Sequence, residues 1–154
     1  MSRWEAWSFH ILTGILSVGG ILLFIMRYLM ESHDPFQLVN HPWQPFLLDI
    51  HILAAPCLIL ILGMVFGTHI SDKLRSRSEG NRRTGIVMLL TFPPMVISGY
   101  LLQVSASSIL SILATVVHVV SGTVFAVIYF WHQWMTFRLW LRRRAESEIE
   151  RLAS

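Results

Sequence analysis

The sequence predicts an all-α protein, a bundle of four transmembrane helices with both termini in the cytoplasm. More than half of the 154 residues are hydrophobic and only 14% are charged, whereas a soluble domain carries charge on about a quarter of its residues. The apolar residues form four long runs, and nearly all basic residues fall in the short segments on one side of those runs. This distribution is typical of a chain whose solvent is a lipid bilayer.

Each apolar run is long enough to cross the hydrocarbon core, which takes about 20 residues in helical conformation. Backbone polar groups have no water to bind at that depth, so they must be satisfied within the segment and the runs are predicted to be helices. The fourth run is longer than required, and we expect its helix to extend beyond the bilayer. The single membrane domain has predicted spans at residues 7–30, 45–70, 85–102 and 108–139.

The basic residues predict the orientation of these spans. Residues 31–44 contain no lysine or arginine, and of the twelve basic residues only Arg27 lies on that side of the membrane. The positive-inside rule therefore makes the other side cytoplasmic. We expect a multi-pass membrane protein whose basic charge reflects topology and not binding to nucleic acid. The cytoplasmic basic residues are Arg3, Lys73, Arg75, Arg77, Arg82, Arg83, Arg138, Arg142, Arg143, Arg144 and Arg151.

Five of the seven histidines lie in or at the ends of predicted spans, where an ionisable side chain is costly and marks a functional site. On the fourth span, His118 and His132 are fourteen residues apart. At about 3.5 residues per turn this spacing returns to the same helix face, and the helical rise separates the two by about 21 Å. One helix would thus present an imidazole in each leaflet, which suits two stacked b-type haems. The other three histidines are His10, His51 and His69.

Depth in the membrane predicts how the histidines pair. With the N-terminus inside, His10 and His132 lie near the cytoplasmic face, and His51 and His118 lie near the outer face. The sequence therefore supplies two pairs of axial ligands for haem iron, His51 with His118 and His10 with His132.

A flat ring also needs room beside its ligand. A small residue follows three of the histidines by four positions, on the same helix face: Gly14, Ala55 and Gly122. Small residues let a helix approach a haem closely, and the alternative interpretation is that they let two helices approach each other. We expect Gly14 and Gly122 to contact the haems.

His69 is a second candidate for the inner ligand. It follows His51 by eighteen residues, about 27 Å along the axis, which exceeds the spacing on the fourth helix by about one turn. We favour His10 as ligand and expect His69 to bind a haem propionate or a quinone. Ser8 and Arg27 are further candidates for contacts with a quinone or a propionate.

Two further features exclude other kinds of site. Cys57 is the only cysteine, so the chain cannot form an intramolecular disulfide, a zinc or iron–sulfur site built on several cysteines, or the attachment site of a c-type haem. The outer loop contains His33 and His41 without a tight metal-binding spacing, and we interpret it as a surface for a partner.

Four helices, with histidines on the first, second and fourth and a fourteen-residue pair on the fourth, resemble the membrane cytochrome b subunits of bacterial formate dehydrogenases and nickel–iron hydrogenases. The resemblance covers residues 7–139 and rests on topology and histidine placement. It implies His10 with His132 at the cytoplasmic-side haem and His51 with His118 at the outer haem. It also implies electron exchange between an external dehydrogenase subunit and a quinone near the inner haem.

We therefore expect a di-haem cytochrome b that carries electrons between a quinone pool and a periplasmic redox partner. The chain is short and has little outside the membrane, so a periplasmic multihaem or iron–sulfur protein is an alternative partner to a dehydrogenase. Two other functions remain open at this point. Histidines also line metal-ion paths in transporters and sensors, and they can hold helices together in a non-redox anchor subunit.

Overall fold

The computed structural model describes residues 2–31, 39–71 and 82–153, and every regular element in these ranges is a helix. The elements are α1 (Arg3–Tyr28), α2 (Gln44–Val65), α3 (Arg82–Val104) and α4 (Ser108–Ala153), and one π-helical turn, Phe66–Ile70, follows α2. All four helices are long and apolar enough to span a membrane. The predicted all-α class, with four helices long and apolar enough to cross a membrane, is thus confirmed, whereas the four-helix bundle and the orientation of the termini stay predictions.

Local hydrogen bonds explain why α1 begins before the predicted span. Ser2 caps the helix, because the Glu5 N–H donates to Ser2 Oγ at 3.3 Å and the Ser2 N–H donates to Glu5 Oε2 at 2.6 Å. This reciprocal capping box satisfies two backbone donors that the first turn would leave unpaired. At the other end, the Asn40 side chain donates to the Arg27 carbonyl at 3.0 Å, which satisfies one of the last carbonyls of the helix.

The start of α2 is fixed by His41 and Pro45. The N–H of Trp43 donates to His41 Nδ1 at 3.2 Å, and the N–H of Gln44 donates to the His41 carbonyl at 3.0 Å. Pro45 lies in the first turn, where its missing N–H costs nothing. The predicted second span, residues 45–70, corresponds to α2 together with the π-helical turn.

A tight connection of three residues joins α3 to α4. The Ser105 N–H donates to the Leu101 carbonyl at 2.9 Å and prolongs the end of α3. The N–H of Leu110 then donates to Ser107 Oγ at 3.5 Å, as an N-cap serine accepts. With 46 residues, α4 is about 69 Å long. This confirms the expectation that the fourth helix is longer than a bilayer is thick.

The chain forms two compact units, one containing α1 and α2 and the other containing α3 and α4. In the first unit α1 packs against α2, and in the second α3 packs against α4. In the most apolar window of each helix, only 11–17% of the residues are buried inside the protein. Large apolar side chains such as Leu53 and Ile112 are mostly exposed, which is the surface that a helix presents to lipid.

Candidate functional site

One stripe of α4 faces α3 and carries both of its histidines. Its buried and half-buried positions follow one another at intervals of three or four residues, as expected for a single helix face. His118 and His132 lie on this stripe with Phe125 midway between them. The positions are Ala114, His118, Ser121, Phe125, Tyr129 and His132.

His118 is held by the backbone of α3. Its Nδ1 lies 2.9 Å from the Met95 carbonyl oxygen and 3.5 Å from Ser98 Oγ. A carbonyl can only accept, so Nδ1 carries the hydrogen and the lone pair of the neutral ring is on Nε2. The ring can come this close because Gly99 has no side chain. A Cβ at that position would lie 3.1 Å from His118 Cε1 and 3.2 Å from Nδ1.

His132 is held by a side chain at the opposite end of α3. Thr84 Oγ1 lies 2.7 Å from His132 Nδ1. The two histidines of α4 thus have the same arrangement, with Nδ1 bonded to an oxygen atom of α3. Metal-ligating histidines almost always bond their second ring nitrogen in this way, which fixes the tautomer and the ring orientation.

Aromatic side chains fill the space between these two histidine levels. Phe125 is 4% exposed, and its ring lies 5.7 Å from Phe92 of α3 and 6.4 Å from Tyr129, with which it is nearly parallel. Rings at these distances contribute about 0.5–1.5 kcal/mol for each pair beyond the area that they bury. The contact of Phe92 with Phe125 joins α3 to α4 midway between the two histidine levels, which the helical rise separates by about 21 Å.

His51 lies in the first unit, against two glycines of α1. A Cβ on Gly20 would lie 3.3 Å from His51 Cε1, and a Cβ on Gly19 would lie 3.8 Å from His51 Nδ1. His51 is therefore packed like His118, with its imidazole against a glycine of the neighbouring helix in the same unit.

An open groove of about 400 Å³ runs along α1 and α2 beside His51. A Cβ on Gly14 would have open space around it, with nothing within 4 Å. The groove is apolar apart from the imidazole, and its volume is in the range of small-molecule sites in proteins. Its lining residues are Gly14, Ile15, Val18, Gly19, Leu22, Leu47, Ile50 and His51.

His10 is half-buried about one turn before the first lining residue of this groove, Gly14, with the Trp7 and Phe9 rings edge-on at 6.5 and 6.4 Å. Because His51 is level with Gly19 and Gly20, the helical rise puts His10 about 14 Å from the level of His51 along α1. The two histidine levels are thus closer together in the first unit than in the second.

The remaining predicted residues differ in what surrounds them. Ser8 is half-buried in α1, two residues before His10. Arg27 is exposed in the last turn of α1, with its guanidinium 5.9 Å from the centroid of the Tyr28 ring. His69 lies in the π-helical turn, and its side chain is outside the described part of the chain. The outer-loop residue His33 and the basic residues of the segment 72–81 are also outside it.

Gly122 lies against α3, since a Cβ there would be 3.7 Å from Met95 Sδ. This is an ordinary contact between two helices, which was the alternative interpretation of this glycine.

Three residues that contact the histidines from the neighbouring helices were not predicted: Thr84, Gly20 and Gly99. The small residues predicted to matter lie four positions away on the same helix, whereas these contacts are between helices. The signal that could have found them is depth, because each of the three lies opposite a histidine in an antiparallel helix pair.

Among the residues that the structure describes, no group of three or more histidine, cysteine or carboxylate side chains could hold a metal ion. A haem needs only one histidine on each face of the iron.

Comparison of the sequence with protein-family profiles and with curated proteins gives no match, and no solved structure matches either.

Proposed function

We propose that this protein is a di-haem b-type cytochrome of the bacterial inner membrane, which carries electrons between a quinone pool and a periplasmic redox partner. The four histidines His10, His51, His118 and His132 are the proposed axial ligands of the two iron atoms. When bound, a haem supplies reversible one-electron chemistry at its iron. The chain's own residues hold the ring, orient the ligands and exclude water.

The hydrogen bond between His118 Nδ1 and the Met95 carbonyl supports this proposal most directly. A histidine that only ties two helices together can use either ring nitrogen. In contrast, an iron ligand needs a lone pair on Nε2 and hence a hydrogen on Nδ1. The carbonyl acceptor fixes that tautomer. Fourteen residues further along the same helix, His132 Nδ1 likewise lies 2.7 Å from an oxygen of α3, Thr84 Oγ1, a hydroxyl that can accept the same hydrogen.

The surroundings of His51 also fit a porphyrin. Its imidazole lies beside an apolar groove that two glycines of α1, Gly14 and Gly19, help to line. An apolar wall with little side-chain bulk suits the face of a macrocycle, whose interaction with protein is mostly van der Waals contact. In the proposal, His51 pairs with His118 at the outer haem, as their common depth in the membrane predicts.

The inner haem takes His132 and a second ligand from the first unit. Along the first unit, His10 is about 14 Å and His69 about 27 Å from the level of His51, against about 21 Å between the histidines of α4. Neither spacing equals that of α4. We assign His10, which is half-buried inside an apolar span, and His69 is the alternative ligand. In this assignment, His69 and Ser8 bind a quinone next to the inner haem, and Arg27 binds a propionate of the outer haem.

The direction of the chain in the membrane follows from its charges. Arg142, Arg143 and Arg144 follow the fourth span directly, which makes that end cytoplasmic by the positive-inside rule. The inner haem then faces the quinone side and the outer haem faces the periplasm. The resemblance to the cytochrome b subunits of formate dehydrogenases and nickel–iron hydrogenases suggests a periplasmic dehydrogenase or another redox protein as the partner.

Single-histidine variants test the proposal. We expect His118→Ala and His51→Ala each to abolish the same haem signal in reduced-minus-oxidised spectra and redox titrations of the purified protein. His132→Ala should abolish the other signal. The reason is that loss of one axial ligand leaves a bis-histidine haem without half of its protein bonds to iron.

His41→Ala is the matched control, because His41 accepts the Trp43 N–H just before α2, outside the spans, and the variant should leave both haems in place. If His118→Ala and His51→Ala removed different haems, the proposed pairing would be wrong. If every histidine variant kept a wild-type spectrum, the haem proposal itself would be wrong, and a helix-tying or ion-binding role would replace it.

A further inference from the structure

Thr84 contacts a histidine side chain of the neighbouring helix, and three other threonines in the second unit contact the backbone of their own helix. These three donate to the backbone carbonyl four residues earlier on their own helix, as threonine does inside helices: Thr91, Thr115 and Thr136. Thr84 lies near the described start of α3. Its hydroxyl is 2.7 Å from His132 Nδ1 on α4.

The ligand role proposed for His132 decides the direction of this hydrogen bond. If Nε2 gives its lone pair to iron, Nδ1 carries the hydrogen and donates it to Thr84 Oγ1. An imidazole whose N–H is bonded to an acceptor is a more basic ligand. A more basic ligand stabilises the oxidised iron, and so lowers the reduction potential of its haem.

The acceptors at the two ends of α3 differ in kind. His118 donates to the carbonyl of Met95, which belongs to the backbone and cannot be removed by changing a side chain. As an iron ligand, His132 would donate to the Thr84 hydroxyl, which a single substitution can delete without changing the shape of the side chain. The inner haem is therefore the one whose second-nitrogen partner can be tested by mutation.

We infer that Thr84 is the positioning residue of His132, fixing its Nε2 for the iron of the inner haem and lowering the potential of that haem. The inference rests on the haem function proposed above. Thr84 acts through the imidazole and does not itself contact the iron.

Thr84→Val tests this inference in the purified full-length protein. Valine has nearly the same shape as threonine but lacks the oxygen that accepts the Nδ1 hydrogen. We expect the midpoint potential of the inner haem to rise and its low-spin EPR signal to shift, with those of the outer haem unchanged. Loss of such a partner typically weakens metal binding by roughly 10–100-fold, so the inner haem should also be released more readily.

Two further variants separate positioning from a merely structural role. Thr84→Ser keeps the hydroxyl and should restore the potential and the EPR signal of the wild type. Thr91→Val removes a hydroxyl from the same helix, but one that donates to the carbonyls of Val87 and Met88, so it should leave both haems unchanged.

Three results would overturn the inference. If Thr84→Val had wild-type potentials and EPR signals, Thr84 would not position His132, although the haem function would stand. If both haem signals changed in parallel, Thr84 would act on the packing of the helices and not on one ligand. A wild-type protein purified without haem would remove the proposed function and this inference together.

Discussion

Gly99→Ala should weaken the outer haem site while leaving the helices intact. The imidazole of His118 occupies the space where an alanine side chain would lie. An added Cβ would be 3.1 Å from His118 Cε1, whereas ordinary van der Waals contacts of a Cβ begin at 3.4 Å. The ring must therefore retreat by about 0.3 Å, since neither the backbone of α3 nor the new methyl group can give way.

The retreat acts directly on the hydrogen bond that orients the ring. It lengthens the 2.9 Å bond from Nδ1 to the Met95 carbonyl toward the ordinary upper limit of about 3.2 Å. Overpacking of this kind typically costs about 1–3 kcal/mol. Alanine also gains about 1 kcal/mol over glycine in helix propensity, which offsets part of that cost in folding. The helix propensity gain does not help the misplaced ligand, so outer-haem binding should weaken by roughly 5–150-fold.

The assay is haem content and redox titration of purified Gly99→Ala, compared with Gly85→Ala. Gly85 is on the same helix, and a Cβ there meets nothing within 4 Å, so the control changes propensity without a clash. We expect Gly99→Ala to lose occupancy of the outer haem alone. The reasoning would be refuted if Gly99→Ala kept both haems at wild-type potentials, or if Gly85→Ala lost as much haem.

Three further predictions concern the same histidine levels. Gly20→Ala should weaken the outer haem less than Gly99→Ala does, because its Cβ would stay 3.3 Å from His51; equal losses measured by haem content would contradict this. His10→Ala should remove the inner haem and His69→Ala should slow quinone reduction with both haems retained, and the opposite outcome would make His69 the inner ligand. Phe125→Ala leaves a cavity where a 4% exposed ring lay. The variant should lose up to about 3 kcal/mol of unfolding free energy, which is the lower end of the range for phenylalanine, because the lipid around the helices is itself apolar. Unfolding in SDS measures this loss of stability, and an unchanged unfolding midpoint would contradict the prediction.

The helices could be predicted from sequence because one physical constraint dominates them. A segment that crosses the hydrocarbon core must form all of its backbone hydrogen bonds within itself, so the length of an apolar run is enough to identify a helix. The ends of the helices depend on local hydrogen bonds that hydropathy does not record. The capping box of Ser2 and Glu5 starts α1 at Arg3, four residues before the predicted span. By contrast, the charged tail of α4 is helical to Ala153, in agreement with the expectation that the fourth helix extends beyond the bilayer.

The candidate site could be predicted only in part, for a related reason. Residues on one helix are related by a fixed period, so the common stripe of His118 and His132 follows from their spacing. The partners of these histidines lie on another helix, and their register depends on how the two helices pack. Thr84 and Gly99 look unremarkable in the sequence, because nothing in their own helix distinguishes them from Thr91 or Gly85.

The number of haems b bound per chain tests the central claim most directly. The pyridine haemochrome assay on protein purified from cells with adequate haem supply measures it, without any assumption about partner, quinone or direction of electron flow. We expect about two haems per chain, since the four proposed histidine ligands would form two axial pairs. A colourless protein with no haem bound would contradict it.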